Sequence, residues 1–197
     1  MDFTLNLHPK HKLQLQHSDF LFFNPELHTE AKKAAVCVLL FPKQGKTYVG
    51  MIKRNKYPGV HSQQIGFAGG KVDSEDEHLW DTAKREMFEE LGIPLNSNHL
   101  LGKLEDIYIP PSNFLVRPYI VYFPETLNLN IDQREVDYFV EFPLEYIFDE
   151  NRYSKKDIHT DDDRSLHAKI LRLEGSEYIW GASFAILEDL KQQLCFV

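Results

Sequence analysis

Three glutamates near the middle of the chain are spaced for shared chemistry. Glu86 directly follows Arg85, and Glu89 and Glu90 come one helical turn later. In an α-helix, residues three and four apart share one side, so the three carboxylates would cover a sector of about 100°. Like charges at this spacing repel each other, and a hard divalent cation removes the repulsion by taking the oxygens as ligands. The spacing indicates a metal site, although a solvated acidic helix face has the same spacing.

An amphipathic helix is needed to position these carboxylates. An apolar stripe recurs at helical spacing on another side of the same segment: Trp80, Ala83, Met87 and Leu91. Such a helix buries the stripe and presents the glutamates on a different face. Gly92 follows the stripe and Pro94 cannot extend a helix, so we predict that the helix ends at Leu91-Gly92.

The segment Gly69–Ile93 resembles the Nudix box, G-x5-E-x7-R-E-U-x-E-E-x-G-U, where U is bulky and apolar. Arg85 to Ile93 fits its second half at every position. In the first half, counted from Gly70, the box's first glutamate falls on Asp76, and the gap to Arg85 is one residue longer than the pattern. This longer lead, GGKxDxxD, is similar to that of one branch, the coenzyme A diphosphatase-like Nudix proteins.

The stretch before the box supports the same branch, whose leader is similar to LxxRxxxxxxHxGQxxFPGG. The matching residues are Met51, Arg54, His61, Gln64, Ile65, Phe67, Gly69 and Gly70. The chain departs from the pattern at Gln63, which replaces a glycine, and at Ala68, which replaces a proline. Losing both residue types changes the backbone conformations that the loop allows. A plain connector between a strand and a turn is the competing interpretation of this loop.

Later segments also resemble the branch. SNFLVRPYIV, which contains Ser112 and Phe114, is similar to SGFxVxPxV, and Glu135-Val136 followed by Phe142-Pro143-Leu144 is similar to an E-V…PL element. Ile179 to Leu187 resembles IWGxTAxIL. Glu135 is a candidate metal ligand or base, and a surface glutamate at a helix start is the competing interpretation.

The resemblance implies a metal-dependent hydrolase of nucleoside diphosphates linked to another group. By resemblance the ligands of Mg²⁺ or Mn²⁺ are Glu86, Glu89, Glu90 and the Gly70 carbonyl. Arg85 would orient the glutamates through charge-assisted hydrogen bonds. Glu89 or Glu135 would be the general base. Metal ions of this kind neutralise phosphate oxygens and lower the pKa of bound water.

The branch implies a particular substrate and substrate contacts. The substrate would be coenzyme A or a derivative, cut to 3′,5′-ADP and a phosphopantetheine product. The candidate substrate-binding residues are Arg54, His61, Gln64, Phe67, Ser112 and Phe114, with Lys53 as a further phosphate contact, although a structural role is preferred for His61. Three alternatives stay open: a Nudix hydrolase of ADP-ribose, NADH or a nucleotide sugar, a non-catalytic Nudix-fold binding module, and a metal-free acidic helix in an interaction protein.

The implied fold is an α/β protein of the Nudix type, an α/β/α sandwich with a mixed β-sheet between helices. Local patterns predict these elements: a strand over Ala34–Phe41 with a hairpin partner over Thr47–Ile52, strands over Leu101–Ile109 and Phe114–Phe123, strand-like pieces over His167–Leu173 and Glu177–Trp180, and a helix from Ile179 to about Leu194. Pro118 predicts an edge or a bulge in its strand. Asp149–Arg164 is a polar run, in which Asp161–Asp163 are candidates for binding a metal but a solvated loop is preferred.

Composition and the chain's start bound the remaining possibilities. The 197 residues are 43% hydrophobic and carry a net charge of −8, which suits one globular domain and disfavours a general nucleic-acid binder. Cys37 and Cys195 form neither a disulfide framework nor a zinc spacing, and Cys37 is predicted to be buried. The start lacks a signal peptide, and no apolar run approaches the ~20 residues of a membrane helix. We expect a cytoplasmic protein with a small nucleotide substrate and no membrane partner, in which residues 1–30 pack on the domain 31–197 or across a homodimer interface.

Overall fold

The computed structural model describes residues 30–56, 62–159 and 165–195. The predicted N-terminal extension, His61 and Asp161–Asp163 therefore lie outside the described residues, apart from residue 30. The described strands and helices are, in order, β1 Lys32–Lys43, β2 Lys46–Arg54, β3 Ile65–Gly66, β4 Ala68–Lys71, α1 Leu79–Leu91, β5 Leu100–Lys103, β6 Ile107–Ile109, β7 Phe114–Tyr122, β8 Val136–Pro143, β9 Tyr153–His159, β10 Ser165–Arg172, β11 Tyr178–Ile179 and α2 Gly181–Cys195.

Eight strands form one mixed sheet, as predicted. Its central order is β3-β2-β1-β7-β5, with β4 paired to β1, β6 to β7 and β8 to β2. Only the central pair β1–β7 is parallel among the described strands. A helix covers each face of this sheet, so β1 is buried on both faces. This explains its unbroken apolar run, because a strand with no solvent-facing side does not alternate apolar and polar residues.

The two helices cover opposite faces of this sheet. Cys37 and Leu39 of β1 pack in one core with Ala83, Met87 and Leu91 of α1. Val38 and Leu40, the alternate residues of the same strand, pack in a second core with Ile186, Leu187 and Leu190 of α2. Each such side chain stabilises the fold by about 1.5–3 kcal/mol when fully buried. The predicted α/β architecture and the burial of Cys37 are confirmed.

The β1–β2 hairpin is also confirmed, with a turn at Gln44-Gly45. The predicted strand Leu101–Ile109 is instead two short strands, β5 and β6, with a break between them. Pro118 lies opposite this break, in an interior strand and not at an edge, and its carbonyl accepts a hydrogen bond from the Leu104 N–H at 2.9 Å. The edge prediction was wrong because β6 and β5 continue the pairing on either side of the proline, which has no N–H to donate.

A second, three-stranded antiparallel sheet has the order β11-β10-β9. Strands β10 and β11 and helix α2 correspond to predicted elements. The polar run Asp149–Arg164 contains a strand that was not predicted, β9, which pairs along its length with β10 from Tyr153↔Leu171 to His159↔Ser165. Neither helix of the described ranges has the length and apolar character that a membrane crossing requires.

Candidate active site

Helix α1 carries the acidic cluster and is fixed at both ends. At its start the Asp81 carboxylate accepts a hydrogen bond from the His78 N–H at 2.9 Å. At its end Gly92 has a left-handed backbone (φ 72°), and its N–H donates to the Phe88 carbonyl at 2.8 Å. The predicted end of the helix and its buried apolar stripe are both confirmed, and the stripe's Trp80 ring lies 5.2 Å from the ring of Tyr119.

The three glutamates share one side of α1 but differ sharply in exposure. The Glu90 side chain is 2% exposed, Glu86 is 13% exposed and Glu89 is 54% exposed. Residues 86 and 90 are one turn apart and face β4, which lies along the helix, whereas Glu89 is rotated towards solvent. The cluster therefore has two shielded carboxylates and one that is exposed to solvent.

Glu90 is held by the Gly69 backbone and by Arg54. Its Oε2 accepts a hydrogen bond from the Gly69 N–H at 2.8 Å, and its Oε1 lies 3.4 Å from an Arg54 nitrogen. Arg54 also donates to the Gly69 carbonyl at 3.1 Å. Burial raises the pKa of Glu90 to about 7, against the lowering effect of Arg54 and Gly69 and with further raising by Glu86 and Glu135.

Glu86 lies directly against the backbone of Gly70. A Cβ at residue 70 would be 2.5 Å from Glu86 Oε1, closer than real contacts allow. Only glycine therefore lets the carboxylate rest on the β4 backbone. Burial raises the pKa of Glu86, partly offset by Arg85, and the charges of Glu89 and Glu135 raise it further.

Arg85 connects this cluster to the preceding loop. One terminal nitrogen donates to Glu86 at 2.8 Å and to Glu89 at 2.9 Å. Its other nitrogens donate to both oxygens of Asp76, at 3.2 and 3.0 Å. These bonds lower the pKa of Asp76 to about 2, and they raise the pKa of Arg85 above its ordinary range.

Asp76 is a positioning residue that the sequence-based site omits. It also accepts a hydrogen bond from the Thr82 hydroxyl at 2.9 Å, which ties the loop to the first turns of α1. The signal was present in the sequence, because Asp76 occupies the place of the box's first glutamate. The longer gap to Arg85 obscured its pairing with that arginine.

Comparison with known proteins agrees with the box. A model of the NUDIX domain matches residues 31–168. This chain belongs to the Nudix family. Among curated relatives, "Uncharacterized Nudix hydrolase NudL" of Yersinia enterocolitica is 33% identical over 144 residues, which cover 73% of this chain and 72% of the relative. The protein of the same name from Yersinia pestis is 31% identical over 163 residues, or 83% of this chain and 80% of the relative.

Solved structures show the same fold at low identity. A MutT/nudix family protein from Enterococcus faecalis superposes with a TM-score of 0.60 at 16% identity, over 84% of this chain but only 62% of that protein. The NUDIX domain of Shewanella oneidensis NrtR, crystallised with ADP ribose, has a TM-score of 0.56 at 13% identity, over 87% and 94% of the two chains. The chain is a Nudix hydrolase, an enzyme that acts on diphosphate bonds.

Other predicted site residues of this Nudix domain lie near the cluster. Glu135 is exposed and directly precedes β8, not a helix as its competing interpretation assumed. The loop before it docks on the end of α1, where the Asp132 N–H donates to the Glu90 carbonyl at 3.0 Å. Gln64 lies beside Arg54, whose N–H donates to the Gln64 carbonyl at 3.0 Å.

Further predicted contacts lie elsewhere. Phe67 is 3% exposed and belongs to the core on the α2 side, so packing accounts for it. Ser112 and Phe114 lie around the start of β7, where the Ser112 hydroxyl approaches the Ile109 carbonyl and Lys32 lies over the Phe114 ring. Lys53 donates to Glu177 at 3.0 Å and does not join Arg54 at the cluster.

The two departures in the leader have different consequences. Gln63 has φ 55°, the left-handed conformation that its glycine counterpart in the branch pattern adopts freely. Ala68 lies in β4, opposite Cys37 of β1. Gln63 therefore adopts a conformation that glycine favours, and the expected change of backbone relative to the branch stays a prediction.

The donor set fits a hard divalent cation. Glu86 and Glu90 bring shielded carboxylate oxygens to the Gly69-Gly70 backbone, and only oxygen donors meet there. In the described ranges, no group of three or more His, Cys, Asp and Glu side chains is already gathered to hold an ion. Arg54 and Arg85 occupy the carboxylates instead, so an ion at Glu86 and Glu90 would replace arginine contacts.

Proposed function

We propose that this Nudix hydrolase uses Mg²⁺ or Mn²⁺ to cleave the diphosphate linkage of coenzyme A or a coenzyme A derivative, giving 3′,5′-ADP and a phosphopantetheine product. The observation that carries the proposal is the shielded pair Glu86 and Glu90 against Gly69-Gly70. Burial raises the pKa of both carboxylates, the charge of Glu86 raises the pKa of Glu90 further, and a divalent cation offsets that cost.

Glu86, Glu90 and the outer Glu89 are the proposed ligands, with the Gly70 carbonyl completing an oxygen-only set. The bound ions would neutralise phosphate oxygens and lower the pKa of the attacking water. Hydrolysis breaks one P–O bond of the diphosphate, adds the water oxygen to one phosphorus and leaves two phosphomonoesters. The water's proton goes to a carboxylate base.

The two arginines have separate proposed roles. Arg85 is anchored by both oxygens of Asp76, so it can hold Glu86 and Glu89 in a fixed orientation. Arg54 has the weaker 3.4 Å contact with Glu90 and is 23% exposed. When an ion takes over the Glu90 charge, Arg54 is free to bind a substrate phosphate.

Of the two candidate bases, the geometry favours Glu135 over Glu89. An oxygen of Glu89 is occupied by Arg85 at 2.9 Å, which withdraws the electron pair that a base needs. Glu135 is exposed beside Glu86 and Glu90. We expect Glu135→Gln to lower kcat about a hundredfold. If Glu89→Gln causes a loss of this size and Glu135→Gln does not, the base is Glu89.

The coenzyme A assignment rests on the leader. Its residues Arg54, Gln64, Gly69 and Gly70 occupy the matching places, and Gln63 has a left-handed backbone, a conformation that glycine favours. The relatives' hydrolase name carries no substrate, so the leader is the feature that separates this branch from others.

A substrate panel tests the proposal. We would measure kcat/KM with Mg²⁺ and with Mn²⁺ for coenzyme A, dephospho-coenzyme A, ADP-ribose, NADH and a nucleotide sugar, and identify products by chromatography. The expected result is the highest kcat/KM for coenzyme A, with 3′,5′-ADP released. A preference for ADP-ribose or NADH would select the alternative substrates. No turnover of any compound would contradict the enzyme assignment and favour a binding module.

A further inference from the structure

A basic cleft lies on the second sheet, away from the acidic cluster. It has a volume of about 540 Å³ and is bounded by β9, β10, β11 and the turn before β11. Four of its lining residues are cationic and one is acidic: Arg152, Lys155, Lys156, Arg172 and Glu177. The whole chain has a net charge of −8, so the cleft is opposite in sign to the chain as a whole.

The acidic member of the cleft is already neutralised. Glu177 accepts hydrogen bonds from the Lys53 ammonium at 3.0 Å and from the Tyr138 hydroxyl at 2.6 Å. Both partners come from the main sheet. The carboxylate is therefore committed to joining the two sheets, and it forms no ion pair with the cations that line the cleft.

Three of the cations have no carboxylate partner among the described residues. Arg172 donates to the Asn151 carbonyl at 2.5 Å, and the Lys156 ammonium lies 4.0 Å from the centre of the Tyr178 ring. Lys155 stands directly opposite Lys169 in the β9–β10 ladder. Successive residues of a strand point to opposite faces, so Lys155 and Lys169 lie on the face away from Lys156, and Lys156 shares the face of Ser154 and Ile170.

Arg152 adds a buried donor without an acceptor. Its terminal nitrogen donates to Glu174 at 3.0 Å, but its Nε is buried and has no hydrogen-bond partner. An oxygen of the Asp149 carboxylate lies 3.6 Å from this Nε, too far for a hydrogen bond. Buried donors of charged groups are rarely left unpaired, because the missing bond costs free energy.

We propose that this cleft binds the phosphate groups of a small phosphorylated ligand. The guanidinium groups of Arg152 and Arg172 and the ammonium group of Lys156 supply donors that phosphate oxygens accept. The hydroxyls of Ser154 and Ser176 line the same cleft, and Tyr178 offers a ring face for an organic portion of the ligand. Lys53 and Arg54 are consecutive residues of β2 and therefore point to opposite faces of the main sheet. Arg54 contacts Glu90 of the hydrolytic centre, whereas Lys53 contacts Glu177 of the cleft, so the two sites are separate.

Calorimetric titration with inorganic pyrophosphate tests the site directly. Titrations are done in EDTA at low salt, so that neither metal binding nor turnover contributes. The test variant is Lys156→Gln/Arg172→Gln, and the matched control, Lys46→Gln/Lys103→Gln, removes the same charge elsewhere. We expect the wild type and the control to bind alike and the test variant to bind at least about tenfold more weakly. Binding by Glu90→Gln should equal that of the wild type.

Two results would overturn the proposal: no binding of pyrophosphate by the wild type, or equal binding by the test variant and the control. Thermal unfolding checks that the test variant is folded. If it is not, the single change Lys156→Gln, at an exposed side chain, replaces it with an expected loss of about threefold or more.

The phosphate could belong to the substrate or to a separate ligand, and kinetics distinguish the two sources. If it is part of the substrate, Lys156→Gln/Arg172→Gln raises KM for coenzyme A and leaves KM for dephospho-coenzyme A unchanged. If it belongs to a separate ligand, both KM values stay unchanged while pyrophosphate binding is lost. The calorimetric test stands independently of the hydrolysis proposal, since it measures binding without turnover.

Discussion

The acidic cluster on α1 and the basic cleft on the second sheet differ in whether the chain itself neutralises their charged side chains. At the cluster, each glutamate has a counter-charge from the chain itself: Arg54 for Glu90, and Arg85 for Glu86 and Glu89. In the cleft, Lys155, Lys156 and Arg172 have no carboxylate partner in the described ranges. The comparison teaches that the chain neutralises its acidic cluster with its own arginines, whereas it supplies no carboxylate to these cations of the cleft; this difference underlies the proposals of a cation at the first region and an anion at the second.

The largest expected effect separates the two regions by activity. Glu90→Gln should lower kcat for diphosphate hydrolysis by at least about a hundredfold, because a metal ligand contributes several kcal/mol of charge stabilisation. Lys156→Gln/Arg172→Gln should leave kcat on dephospho-coenzyme A within about twofold. Steady-state kinetics with saturating Mg²⁺ check both. Equal losses in the two variants would contradict the separation of the regions.

The next effect concerns the cost of burying carboxylates. Because the folded pKa of Glu90 is about 7, above its ordinary 4.5, its protonated form is favoured in the folded state. The stability it contributes is full below pH 4.5 and is lost as pH rises through 7. In EDTA the free energy of unfolding should therefore fall by about 3 kcal/mol between these values. Raised pKa at Glu86 acts in the same direction.

The variants for this experiment isolate Glu90. Urea unfolding across pH 5–8 should show a flatter decline for Glu90→Gln, and a wild-type decline for the exposed Glu89→Gln. The lowered pKa of Asp76 acts in another window, since its contribution is lost only as pH falls from 3.8 through about 2. An unchanged decline in Glu90→Gln would show that Glu90 is not the source.

A smaller effect is expected at the anchor of Arg85. Asp76→Asn removes the charge that holds this arginine and should lower kcat about tenfold with little change in KM. The matched control is Asp106→Asn, which breaks the bidentate contact with Arg117, at 2.6 Å for both bonds, on β7. The control should lose stability and keep its kcat. A similar kcat for both variants would reduce Asp76 to a structural residue.

The smallest effect concerns the loop that leads into the acidic cluster. Gln63→Gly relieves a left-handed backbone at a non-glycine residue, and should raise the free energy of unfolding by about 0.5–1 kcal/mol. Gln44→Gly, at φ 52° in the β1–β2 turn, is the matched control and should gain a similar amount. Activity should stay within about twofold in both. A large loss of activity in Gln63→Gly alone would show that the glutamine side chain contacts substrate.

Local signals predicted the helix and the central hairpin well. The end of α1 at Gly92 and the burial of Met87 and Leu91 follow from periodicity and a helix-stop residue, both of which are local. Strand β9 was missed because its sequence, YSKKDIH, is polar. Its pairing with β10 is a property of the register, which places Lys155 opposite Lys169, and no short stretch of sequence encodes it.

The site was predictable in its residues but not in its contacts. Glu86, Glu89 and Glu90 could be found because helical spacing groups them. Their unequal burial depends on β4, which lies along one side of α1. The contact of Arg54 with Glu90 joins residues 36 positions apart. Only the fold shows that this arginine lies beside the Glu90 carboxylate. The ion pair of Lys53 with Glu177 could not be predicted either, because these two residues are also far apart in the sequence.

The central claim is that the shielded carboxylates of α1 hold a divalent cation. Calorimetric titration of Mn²⁺ into wild type and Glu90→Gln at pH 7.5, with Glu145→Gln as a remote control, tests it most directly. We predict measurable binding by the wild type and the control, and at least about tenfold weaker binding by Glu90→Gln. Equal Mn²⁺ affinity in all three proteins would contradict the claim.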